Sequence, residues 1–158
     1  EWDIREDGRI VGVTEELSAQ EIYEMGRKVE PFVIANDTRM GHIHLSVKDS
    51  QLSSAFYQEV LELADKFTIP SASWIASGDY HHHLAVNEWG GKNLAKRDKD
   101  MPGLAYYVLE VANTEDLIAI AERANNRGAE VKWLSSNALT FEDNDGILTR
   151  VRKNINNY

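Results

Sequence analysis

The chain has 158 residues, enough for one ordinary domain or for two small modules sharing a core. Lys and Arg number 17 against 26 Asp and Glu, so the formal net charge is −9, which repels polyphosphate and anionic lipid and argues against nucleic acid and membrane surfaces as partners. The absence of cysteine excludes disulfides, thiolate metal ligands and a thiol nucleophile. No apolar run approaches the roughly 20 residues of a membrane span and no signal segment opens the chain, so a cytoplasmic location is expected. The first residue is Glu1 and not methionine, which reads as a fragment, a processed product or part of a longer protein.

In chain order, residues 1–39 read as a leader. Arg9 to Val13 is β-like, and Ser18-Ala19-Gln20-Glu21 has the form of a capping box opening a short helix through Met25. Residues 40–158 read as one domain of two modules, about 40–88 and 103–154. In Met40 to Val47, Ile43, Leu45 and Val47 alternate with His42, His44 and Ser46, the period of a half-buried strand. From Asp49 to Ala64, Leu52, Phe56, Val60 and Leu63 recur at helical spacing. Ser71 to Ala76 is strand-like, Ser77-Gly78-Asp79 is a turn, and Tyr80 to Val86 reads as a further strand.

Asn87 to Met101 is a polar, glycine-bearing connection, and beyond Pro102-Gly103 the pattern repeats. Leu104 to Val111 is a strand. Asn113 can cap a helix carrying Leu117, Ile120, Ala121 and Ala124, with Gly128 just past its end. Glu130 to Leu134, Ala138 to Glu142 and Ile147 to Lys153 supply three more strands. A strand, a helix and two strands in the first module, and a strand, a helix and three strands in the second, make an approximate repeat that predicts an α+β fold of paired βαβββ modules whose sheets form a curved surface with helices on the convex face.

All five histidines fall in two apolar stretches, GHIH and YHHHLAV. Alternation places His42 and His44 on the face opposite Ile43, Leu45 and Val47, and His81 and His83 on the concave face, with His82 toward the helices. Histidines from two strands on one concave surface can hold a divalent metal if a carboxylate joins them. The plain alternative is a set of hydrogen-bonded polar residues lining a pocket. Of the remaining features, Trp2, Trp74, Trp89 and Trp133 are expected in the core or a pocket wall. Lys92, Lys96, Arg97 and Lys99 form a basic loop, read as solvated more readily than as anion-steering. Of Tyr106 and Tyr107, Tyr106 is the one expected to line the pocket.

MGHIHLSV, FYQEVLELADKF, SGDYHHHLAVNEWGG, GLAYYVLEV and FEDNDGILTRV together resemble the vicinal oxygen chelate superfamily of glyoxalases, bleomycin-resistance proteins and ring-cleaving dioxygenases. In particular they resemble the C-terminal domain of bacterial catechol-2,3-dioxygenase-like proteins. The resemblance spans essentially the whole chain, and YHHHLAVNEWGG is its most specific part. It implies a curved sheet enclosing iron(II) or manganese(II) held by two histidines and a glutamate, a small-molecule substrate, and an N-terminal partner domain or a homo-oligomer.

Carried over residue by residue, the resemblance assigns His42 as the first ligand. Aligning HHLA with the dioxygenase pattern selects His82 as the second, whereas aligning LAVN with the glyoxalase pattern selects His83, and alternation favours His83 unless a bulge rotates the strand. The glutamate position, four residues after Gly146, holds Arg150, whose fixed positive charge opposes a metal. The position of the ring-cleaving tyrosine holds Thr140, and no histidine follows His83. Unless Glu142 substitutes through a shifted register, ring cleavage is not expected. Two functional readings result. One is a metal-dependent oxygenase, isomerase or lyase. The other is a non-catalytic small-molecule-binding or domain-pairing module in which His44, His81, Tyr106 and Arg150 contact the ligand and Arg150 holds a carboxylate.

Overall fold

The computed structural model describes residues 3–10, 12, 16–26, 30–31, 33–91, 93–96, 98 and 100–154. Helix α1, Ala19–Met25, begins where the capping box places it, with Ser18 Oγ accepting from Glu21 N at 3.3 Å. Upstream, Ile4 and Ile10 form an antiparallel bridge. Ile10 N donates to Lys66 O at 3.0 Å, and the Ile10 side chain is buried, so this part of the leader rests on the first module. Val11 and Val13 of the expected leader strand, and Trp2, lie outside the described residues.

The first module runs β1 (Ile43–Ser46), α2 (Ser50–Leu61), β2 (Ala64–Ile69), β3 (Ala72–Ala76) and β4 (Leu84–Asn87). The second runs β5 (Tyr107–Val111), α3 (Thr114–Asn126), β6 (Lys132–Ser135), β7 (Ala138–Glu142) and β8 (Leu148–Lys153). Sheet orders are β1-β4-β3-β2 and β5-β8-β7-β6, with the first and last strands of each module parallel and the others antiparallel. The α+β architecture of two βαβββ modules is therefore present. Its strands form two four-stranded sheets that share one core, and no helix of the described residues is long and apolar enough to cross a membrane.

That core follows from the two periodicities. Leu45 and Val47 point inward from the first strand while His44 and Ser46 stay exposed. Phe56, Tyr57 and Val60 of α2 and Leu117, Ile120, Ala121 and Ala124 of α3 bury the helical stripes against both sheets. Asn113 caps α3, its Oδ1 accepting from Asp116 N at 2.8 Å.

Helix α2 is shorter than its apolar spacing suggests. It stops at Leu61 because Glu62 turns into the left-handed region, φ 53°, and the chain re-enters as β2. Leu52, in the first turn, lies off the buried face of Ser53, Phe56, Tyr57 and Val60 and is 60% exposed. Two of the tryptophans also depart from expectation: Trp89, past the end of β4, and Trp133, on the edge strand β6, are exposed. Trp74 is half-buried against Phe67.

The modules are fastened through the β7–β8 turn. Asp143 Oδ1 accepts from Asp145 N at 2.9 Å and Ile147 N at 2.8 Å, while its Oδ2 takes the Tyr57 hydroxyl. The Asp145 carboxylate accepts from Lys48 N at 3.0 Å and Ser53 Oγ at 2.9 Å, holding the turn against the start of α2. Burial raises the Asp143 carboxyl above its ordinary value and pushes the Tyr57 hydroxyl well up.

Candidate functional site

The histidine triplet does not lie in a regular strand. β4 begins at Leu84, not Tyr80, and β1 begins at Ile43, so His42 and His81, His82 and His83 all sit just before strands. Period-2 alternation therefore has no hold on the triplet. His82, expected to face the helices, is buried among imidazoles. Its ring centroid lies 4.3 Å from that of His42, 4.1 Å from that of His81 and 5.0 Å from that of His44. His82 Nε2 and His44 Nε2 are 2.9 Å apart, at hydrogen-bond distance.

His83, which alternation favours as the partner of His42, has another engagement. Its Nδ1 accepts from Ser77 N at 3.3 Å and its ring stacks near Tyr80 at 4.8 Å. The structure thus brings His42, His81 and His82 together, with one ring nitrogen of each within 4.8 Å of the others. The backbone explains why the two segments meet. Ile43 N donates to His83 O at 3.1 Å, and the parallel pairing Ile43↔Leu84 and His44↔Ala85 holds the strand starts side by side.

Burial, then the neighbouring imidazoles, drives the His82 pKa down to about 3, and burial first and His42 second lower those of His44 and His81. Burial alone lowers that of His83. A neutral imidazole offers the lone pair that hydrogen bonds and metals require.

The second module has the same register and different chemistry. Tyr107↔Thr149 and Val108↔Arg150 in β5–β8 correspond to Ile43↔Leu84 and His44↔Ala85 in β1–β4. By that correspondence Tyr106 stands where His42 stands, Val108 where His44 stands, and Arg150 where Ala85 stands. Arg150 also pairs directly with Thr140 across β7–β8. Its guanidinium carbon lies 4.1 Å above the Tyr106 ring, and its buried Nε has no hydrogen-bond partner among the described residues.

Tyr107 turns inward, and its hydroxyl accepts from Thr149 Oγ1 at 2.8 Å, while burial pushes its pKa up to about 12. Glu142, the carboxylate that a shifted register would recruit, receives Lys96 Nζ at 3.3 Å. No carboxylate joins the three imidazoles among the described residues. Lys92, Arg97 and Lys99 of the basic loop lie outside the described residues.

Two openings flank these groups. A groove of about 670 Å³ runs between the β1 and β5 edges, bordered by His42, His83, Leu104, Val108, Glu110 and Arg152. A cleft of about 330 Å³ lies between His44, Ser46, Leu94 and the Asp145–Ile147 turn. The Tyr57–Asp143–Asp145 network was not anticipated from the residues. The dense run of carboxylates around Gly146, EDNDG, is the only local sign of it.

The arrangement matches known proteins at three levels. The Glyoxalase/Bleomycin resistance protein/Dioxygenase superfamily model matches residues 39–151. The catechol-2,3-dioxygenase of Bacillus subtilis (strain 168) is 30% identical over 133 residues, covering 83% of this chain and 47% of that protein, so the chain spans about half of the relative's length. A glyoxylase/bleomycin resistance protein/dioxygenase domain from Frankia sp. EAN1pec has the same fold, with TM-score 0.58 and 23% identity over 73% of this chain and 97% of that one. The fosfomycin resistance protein FosX from Listeria monocytogenes follows at TM-score 0.54 and 19% identity, over 74% of this chain and 93% of that one. The superfamily is metal-dependent, and here three imidazoles stand within reach of one ion, although the last-strand position carries Arg150. With the family model spanning both modules and the repeated βαβββ register beneath it, this chain belongs to the glyoxalase/bleomycin resistance protein/dioxygenase superfamily.

Proposed function

We propose that this chain is the C-terminal-type half of a catechol-dioxygenase-like protein, and that it binds a small aromatic molecule bearing a carboxylate without cleaving its ring. The observation that carries this reading is Arg150, stacked on Tyr106 with a buried Nε lacking a hydrogen-bond partner among the described residues. A guanidinium presents a planar fork that suits a carboxylate, and the tyrosine ring fixes the plane of that fork. The iron(II) or manganese(II) triad of two histidines and a carboxylate does not fit, because the position that should supply the carboxylate supplies a permanent cation. No ring-cleavage step is therefore assigned to these residues. Tyr106 and Arg150 bind and orient the ligand, and Val108, paired with Arg150 across β5–β8, adds apolar surface beside them. The remaining half of such a protein, an N-terminal partner domain or a second copy, is the proposed partner, supported by the chain's spanning about half of the Bacillus relative.

A second reading, a metal-dependent enzyme, is supported by the clustered imidazoles. One pair of measurements separates the two. Calorimetric titration should give salicylate at least about tenfold tighter binding than phenol, a preference lost in Arg150→Gln. Oxygen consumption with catechol and added iron(II) should stay at the protein-free rate. Equal affinity for the two probes, or catechol-dependent oxygen uptake that requires the protein, overturns the proposal.

A further inference from the structure

We propose that His42, His81 and His82 form an all-imidazole site for zinc(II), with His44 as the outer partner that orients His82. This is a different donor set from the two histidines and one glutamate that the family resemblance implies, and it is independent of any ligand at Arg150. It is confined to the first module, since the places equivalent to His42, His44, His81 and His82 in the second hold Tyr106, Val108, Gly146 and Ile147.

Geometry comes first. Three ring nitrogens lie within 4.8 Å of one another. Nitrogens bound tetrahedrally at about 2.0–2.1 Å from zinc are about 3.4 Å apart, so closing the site draws each pair of ring nitrogens together by at most about 1.4 Å. The backbone itself is held by β1–β4 pairing, which places His42 beside the triplet. The His44–His82 contact at 2.9 Å is of the kind that sets a ligand's orientation from outside the coordination sphere. His42 is exposed and borders the groove of about 670 Å³, which supplies an entry path.

Donor chemistry then selects the ion. Imidazole suits zinc, copper and nickel, whereas manganese and magnesium favour carboxylate and carbonyl oxygens. No carboxylate joins the group among the described residues. His83 is excluded from the set because its Nδ1 already accepts from Ser77 N.

The test uses the full chain without a histidine tag, stripped with chelator and titrated calorimetrically with zinc chloride and manganese chloride. The expected result is one zinc per chain, bound at least about tenfold more tightly than manganese. His81→Gln should weaken zinc binding by about 10-fold to 100-fold with an unchanged circular dichroism spectrum, whereas His83→Gln should keep the wild-type zinc affinity. His81 is only partly buried, so its variant reports on the site even if His82→Gln fails to fold. Manganese binding as tight as zinc, no stoichiometric zinc, or undiminished zinc affinity in His81→Gln overturns the proposal.

Discussion

The Tyr57 hydroxyl donates to Asp143 Oδ2 at 2.6 Å, joining the helix of the first module to the β7–β8 turn of the second across 86 positions of sequence. Both groups are buried. Removing the donor leaves a desolvated carboxyl that keeps only its two backbone partners. Tyr57→Phe should therefore lower stability by about 1.5–3 kcal/mol, the range for a hydrogen bond to a charged group, read as a lower urea midpoint with an unchanged slope.

Acid should unfold the chelator-treated protein through its imidazoles. His82 titrates at about 3 in the folded chain against 6.5 when unfolded, and His44, His81 and His83 are shifted in the same direction. The unfolded state binds the protons the folded state refuses, so this stability is fully present above pH 6.5 and is lost as pH falls toward 3. His82 alone contributes a slope of at most about 1.4 kcal/mol per pH unit. Melting temperatures should fall steadily from pH 7 to pH 5, and a flat profile over that interval would refute the assignment.

Two left-handed positions predict changes of opposite sign. Glu62 ends α2 at φ 53°, where a side chain is unfavourable, and its carboxylate meets Arg123 only as a largely exposed ion pair. Glu62→Gly should therefore stabilise the chain by up to about 1 kcal/mol.

Gly146 sits at φ +79° beneath the Lys96 side chain, so an added methyl meets both backbone strain and the lysine methylenes. Gly146→Ala should cost about 1–2 kcal/mol, seen as a lower melting temperature.

Much of the fold was legible because burial repeats locally. The alternation of Ile43, Leu45 and Val47, the stripe Leu117-Ile120-Ala121-Ala124 and the capping residues Ser18 and Asn113 each depend on neighbours a few positions away. Where local pattern is ambiguous the reading slipped. Leu63 continues a helical spacing that Glu62 has already broken, and β2 was absorbed into the space after the helix.

The site was legible in its residue types, and the resemblance to the superfamily sets Arg150 at the position of a ligating glutamate. Its partnerships were not. Alternation counted from Tyr80 joined His83 to His42, but the strand starts four residues later, and the bend before it turns His82 to His42, His44 and His81. The stacking of Arg150 on Tyr106 and the bond from Tyr57 to Asp143 likewise join residues more than 40 positions apart. Composition and periodicity determined which residues are apolar, which can bind and which cannot ligate. Which imidazoles meet was decided by tertiary structure alone, because it depends on where pairing between distant strands begins, and no local pattern encodes that.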